Sequence, residues 1–130
     1  METDVLPTAF CATFHKAVEL IGKRWTGAIL RAMRSGRVRF SDISASIPGL
    51  HDRLLSERLK ELECEGIIER HVIPETPVRI EYHLSAKGRD LDGVMDAITD
   101  WSARWVALTP EESEAEAKIL ETEHSAALVP

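Results

Sequence analysis

The most regular pattern along the chain lies between residues 51 and 65. With Leu55 at zero and about 100° per residue, Leu59 falls near 40° and Leu62 near 340°, one narrow apolar stripe. On the same scale of about 100° per residue, Arg53, Glu57, Lys60 and Cys64 fall between about 140° and 200°, with Ser56 at the edge of that outward face. Arg58, near 300° at about 100° per residue, flanks the apolar stripe, where it either braces the helix against an acid or reaches outward. Gly66 ends the helix.

Three helices are expected before it. The first is predicted over 7–21, with Phe14, Val18 and Ile21 at helical spacing and Gly22 as its stop. The second is predicted over 25–34, with Trp25, Ala28, Ile29 and Met33 on one side and Ser35-Gly36 closing it. Arg37-Val38-Arg39 reads as a short extended piece. Ser41 reads as the cap of a third helix holding Ile43 and Ile47, and Pro48-Gly49 as a tight turn. After the fourth helix, 67–73 and 78–84 are β-branched and partly alternating, joined by Pro74-Glu75-Thr76-Pro77: a β-hairpin with a stiff tip. One long helix is predicted over 86–107, capped by Ser85, with Leu91, Val94, Met95, Ile98, Trp101, Trp105 and Leu108 as its apolar positions. Thr109-Pro110-Glu111-Glu112 reads as the cap and first turn of a further short helix, followed by frayed terminal residues.

The expected fold class is therefore mainly α with one small β-hairpin (α+β), in the helix order of a winged helix-turn-helix. A chain of 130 residues fits a single domain able to bury its own core. The organisation expected is a first helix to residue 22, a winged core over 25–84, a long helix over 85–108 and an acidic extension over 109–130.

Charge sharpens this. The net charge is −6, which argues against a nucleic-acid partner until its distribution is read. Residues 23–60 carry nine bases and three acids, while residues 111–130 carry six acids and one base. A basic middle can serve as a footprint for phosphates in an acidic protein. A helix with a polar outward face can enter the major groove while its apolar face fixes it to the domain. Arg37, Arg39 and Arg79 on neighbouring elements could set its register on phosphates.

Other chemistries find little. No phosphate loop, metal-binding HExxH or nucleophile turn is present, so no enzyme and no cofactor are expected. Cys11 and Cys64 are too few for a disulfide framework and match no zinc spacing; Cys11 with His15 gives only two ligands, which is not a metal site. No apolar run reaches the ~18 residues of a membrane span, and no secretory signal opens the chain, so a cytoplasmic protein is expected. Cys11 sits at a helix start, where exposed N–H groups lower a thiol pKa. It reads either as a redox-sensing thiol or as a small interface residue. Trp25, Trp101 and Trp105 read either as core and interface mass or as a stacking surface for an aromatic effector.

The segments AVELIGKRW, RFSDI, LSERLKELECEGIIER and PETPVRIEYHLSAKGRDL, with Cys11 before them and a terminal Trp after, resemble the HxlR family of bacterial transcription regulators, relatives of the MarR group. The resemblance covers about residues 11–105. It implies a homodimeric winged helix-turn-helix on an inverted-repeat promoter operator of double-stranded DNA. It also implies a dimer contact made by the first and last long helices, here Phe14, Val18, Leu91, Met95, Ile98, Trp101 and Trp105. The recognition helix corresponds to 51–60 and the wing carries Arg79. The expected DNA-contact set is Arg39, Ser41, His51, Arg53, Leu54, Ser56, Glu57, Lys60 and Arg79. Where family members often place Ser-Pro, this chain has His51-Asp52; Asp52 can cap the helix, but its carboxylate is unfavourable beside phosphates. A winged helix used only for protein assembly is the alternative, favoured by Glu57 on the reading face and by the overall negative charge.

Overall fold

The computed structural model describes residues 9–128. Seven helices and two strands are found among them: α1 (Ala12–Ile21), α2 (Thr26–Arg34), α3 (Phe40–Ser46), α4 (Asp52–Cys64), β1 (Ile68–Ile73), β2 (Arg79–Leu84), α5 (Ala86–Arg89), α6 (Asp92–Trp105) and α7 (Pro110–Leu128). The described residues up to Arg89 form one compact unit and those from Asp90 another. Pro7 and Thr8, expected in the first helix, and Val129 and Pro130, expected to fray, lie outside the described residues.

In the first unit the core is a short list of aliphatic side chains. Ile29 from α2, Ile43 from α3, Leu55, Leu59 and Leu62 from α4, and Ile68 from β1 are each 2% exposed or less. Each such side chain contributes roughly 1.5–3 kcal/mol by leaving water. The apolar stripe of α4 is therefore the centre of the unit, as its periodicity required. In α2 the buried set is Thr26, Ile29, Leu30, Ala32 and Met33, whereas Ala28 is exposed and Trp25 half-buried. Trp25 precedes the helix with φ 75°, and its ring edge lies beneath the α3–α4 turn at Gly49. There φ is +87°, which favours glycine, while a Cβ would meet the ring edge at 3.5 Å, an ordinary contact, so it is the backbone conformation that calls for glycine.

β1 and β2 pair antiparallel from Ile68↔Leu84 to Ile73↔Arg79, which leaves Val78 in the loop. Arg37–Arg39 forms no regular strand, but the Val38 carbonyl accepts the Tyr82 N–H at 2.7 Å, so one extended residue does dock beside β2. Ser41 does not cap α3. That helix begins at Phe40 with Arg39 as its N-cap, and no side chain caps its end.

The expected long helix is broken. Ser85 Oγ accepts the Gly88 N–H at 3.1 Å, the cap expected of it, but α5 stops at Arg89 and α6 starts afresh at Asp92. Gly88 is buried and cannot be another residue without a shift, because a Cβ there would lie 2.2 Å from the Ile67 carbonyl oxygen. The close approach of this turn to β1 thus fixes a poor helix former inside the segment, with Gly93 just beyond the break.

In the second unit α7 opens with a capping box: the Thr109 N–H donates to Glu112 Oε1 at 2.8 Å and the Glu112 N–H to Thr109 Oγ1 at 3.1 Å. The helix is not short, as expected, but 19 residues long. No residue of α6 is buried.

Candidate nucleic-acid interface

The outward face of α4 is held from beneath at three levels. Leu55, Leu59 and Leu62 seat it in the core. At its start Ser44 Oγ of α3 donates to Asp52 Oδ1 at 2.9 Å. Asp52 is thus the first helical residue, a tether between the two helices of the helix-turn-helix, while His51 is the N-cap position and makes no side-chain capping bond. Toward the middle, Arg58 Nε donates to the Arg24 carbonyl at 3.0 Å, and its Nη1 lies 3.3 Å from Glu61 Oε2. Lys23 Nζ donates to the same carboxylate at 2.8 Å. The Lys23 hydrogen bond first, and the Arg58 charge behind it, hold the Glu61 carboxyl below its ordinary pKa. Of the two roles open to Arg58, the structure therefore shows bracing: its side chain is 13% exposed.

What remains outward is the set that the helical wheel places there. Arg53 stands 92% exposed with its Nε 3.9 Å from Glu57 Oε1. His51, Glu57, Lys60 and Cys64 are exposed, and Leu54 and Ser56 half-buried. Arg39 and Ser41 are exposed at the first turn of α3.

The wing differs from this open face. Arg79 lies between two carboxylates, with Nη2 3.6 Å from Glu75 Oε1 and Nε 3.0 Å from Glu81 Oε2. The second contact is an ion pair by distance without hydrogen-bond alignment, since the buried Nε makes no hydrogen bond. The His83 Nε2–H donates to Glu81 Oε1 at 2.9 Å, and with Arg79 and Arg39 it holds the Glu81 carboxyl below its ordinary pKa. On the same face the His71 and His83 rings lie 4.9 Å apart. The wing arginine is present as expected, but neutralised in place by its neighbours.

Between α4 and the hairpin runs a groove of about 430 Å³, lined by Ser56, Leu59, Lys60, Glu63, Arg70 and Tyr82. Arg70 and Tyr82 are directly opposed across the strands, and neither stood out in the sequence. The available signal was the period of two: Arg70 follows the buried Ile68 by two residues, so both share the face of the hairpin turned to α4.

Cys11 is the exposed N-cap residue of α1. The Phe14 N–H, then the Thr13 hydroxyl, at the open end of that helix hold the thiol below its ordinary pKa, although no capping hydrogen bond forms. The His15 ring is engaged elsewhere, 3.2 Å from Glu19 and 5.3 Å from Phe10. Among the described residues no group of three or more His, Cys, Asp or Glu could hold a metal ion, and no helix is long and apolar enough to cross a membrane. Of the residues expected at a dimer contact, Phe14, Val18, Ile98, Trp101 and Trp105 are exposed by 50–72%, while Leu91 and Met95 are half-buried.

Two helices joined through a short turn, the second with a rigid base and a polar outer face, followed by an antiparallel hairpin, define a winged helix-turn-helix protein. The HxlR-like helix-turn-helix model matches residues 20–110. YvaP of Bacillus subtilis (strain 168), an HTH-type transcriptional regulator, is 50% identical over 96 residues, 74% of this chain and 89% of that protein. The reduced form of the transcriptional regulator YodB from B. subtilis superposes with TM-score 0.68 at 40% identity, covering 75% of this chain and 95% of that one. The redox regulator HypR in its oxidized form superposes with TM-score 0.69 at 28% identity, covering 74% and 99%. The chain belongs to the HxlR-like helix-turn-helix family of transcriptional regulators.

Proposed function

We propose that the protein is a homodimeric, sequence-specific regulator in the cytoplasm that binds an inverted-repeat operator and answers to oxidation of Cys11. The observation that carries the DNA reading is the contrast within α4. Its inner leucines are at most 1% exposed, so the helix is rigid, while Arg53 on the other side is 92% exposed. A preorganised helix of about 10–12 Å diameter fits a major groove about 12 Å wide. In this reading Arg53, Ser56 and Lys60 meet base edges or adjacent phosphates, with His51, Leu54 and Glu57 beside them. Arg39, Ser41 and Arg79 lie on flanking backbone. For Arg79 the contact requires exchange of Glu75 and Glu81 for a phosphate.

Dimerisation is supported by the exposed apolar residues of α1 and α6, which are costly to leave in water and match the patches that mark protein interfaces. Regulation is supported by the lowered pKa of the exposed Cys11 thiol, since the thiolate is the reactive form, and by the similarity to a regulator solved in an oxidized form. No catalytic step belongs to this reading.

The test is a gel-shift titration with the promoter DNA of its own gene at several salt concentrations, with and without a mild thiol oxidant. Expected are a steep salt slope, a preference for that DNA over a scrambled duplex, and an oxidant response abolished in Cys11→Ser. Equal affinity for the scrambled duplex would overturn the reading. A winged helix serving protein assembly is the second reading, favoured by the clasp of Glu75 and Glu81 on Arg79.

A further inference from the structure

The groove between α4 and the hairpin has a composition that neither wall explains alone. Lys60 and Ser56 come from α4 and Arg70 and Tyr82 from the paired strands. Two cationic side chains, a hydroxyl and a phenol thus line one cleft, against the single carboxylate of Glu63. Lys60 and Arg70 are exposed, so they remain accessible to a ligand from solution. Leu59, also in the lining, is 1% exposed and belongs to the aliphatic core. Cations in a concave, partly apolar setting attract a single anionic group more strongly than the same charges on a convex surface.

We infer that this groove is a seat for one DNA backbone phosphodiester per half-site, with Arg70 and Lys60 as its cationic jaws and the Ser56 and Tyr82 hydroxyls as neutral donors. The inference rests on the DNA-binding reading above. If α4 enters the major groove and the hairpin reaches the adjacent minor groove, the sugar-phosphate strand that separates the two grooves must run between them, through this cleft. The seat therefore positions the recognition helix and reads no base itself. It also gives the wing a cationic contact that is independent of Arg79.

The test uses the full chain and two labelled duplexes, one selected by the protein from a random library and one scrambled. Arg70→Gln is expected to lower affinity for both equally, so that the preference between them is unchanged, and to reduce the salt slope by about one. Between ~50 and ~200 mM salt, the variant should lose about threefold less affinity than the unaltered protein does. Arg70→Lys, which keeps the charge, should restore the slope. In a series of selected duplexes with single phosphates replaced by neutral methylphosphonates, one position per half-site should weaken the unaltered protein by more than it weakens Arg70→Gln, which keeps only the Lys60 cation there. A folded Arg70→Gln with an unchanged salt slope, or with losses additive to every methylphosphonate, would overturn the seat while leaving DNA recognition by α4 intact. If the unaltered protein does not distinguish selected from scrambled duplex, the DNA-binding reading fails and the seat with it.

Discussion

α4 and α6 are both amphipathic helices of similar length, 13 and 14 residues, and the sequence writes them in much the same way. Leucines recur at spacings of four and three in α4; Val94, Ile98, Trp101 and Trp105 recur at four, three and four in α6. Their fates differ. The α4 stripe is at most 1% exposed, whereas those four residues of α6 are exposed by 43–72%. An apolar stripe therefore states that a helix has a face to cover, and not what covers it. In α4 the cover is supplied by the same unit, so the opposite face can be held rigid for recognition. In α6 the stripe is left exposed, and the proposed dimer is what would cover it.

The largest effect is expected in the covered stripe: Leu59→Ala should cost about 2–5 kcal/mol of unfolding free energy by the lost burial and the cavity left behind, measured by urea titration. Gly88→Ala should cost about 1–3 kcal/mol, because the new methyl is forced against the Ile67 carbonyl rather than removed from a core. In the open stripe, Ile98→Glu should leave the helix content of the first unit intact and shift the sedimentation mass toward the monomer. A dimer that survives this change would mean that α6 is not its contact. The smallest effect should come with acid. Glu61 and Glu81 have lowered pKa values, so their contribution is fully present above the ordinary Glu value of about 4.3 and is lost progressively as pH falls below it, through their folded-state values. Thermal melts should therefore begin to soften below about pH 4.3, and Glu61→Gln should flatten that part of the curve.

Much of the first unit was legible before its structure. The wheel of α4 separates Leu55, Leu59 and Leu62 from Arg53 and Lys60 because 3.6-residue periodicity is a local property. The hairpin and the Thr109 cap were legible for the same reason. The break at Asp90–Leu91 was not, because the apolar spacing of Leu91, Met95 and Ile98 runs without a fault. What holds the segment before the break to a glycine is a contact between Gly88 and Ile67, 21 positions apart in the chain. The clasp on Arg79 and the placement of Arg70 beside Lys60 likewise depend on strand register and on which hairpin face meets α4. Bracing by Arg58 was visible only as one of two options, since its partner, the Arg24 carbonyl, is 34 positions away and has no side-chain signature.

The DNA-reading role proposed for the open face of α4 rests on its exposed cations. It is tested most directly by measuring the affinity of Arg53→Ala and Lys60→Ala variants for a duplex selected by the unaltered protein and for a scrambled duplex, with oligomeric mass recorded alongside. Both variants are expected to remain folded and dimeric, and the Arg53 variant to lose discrimination between the two duplexes, by about 1–3 kcal/mol if the contact is a base edge. Undiminished discrimination in both variants, with the dimer intact, would contradict it.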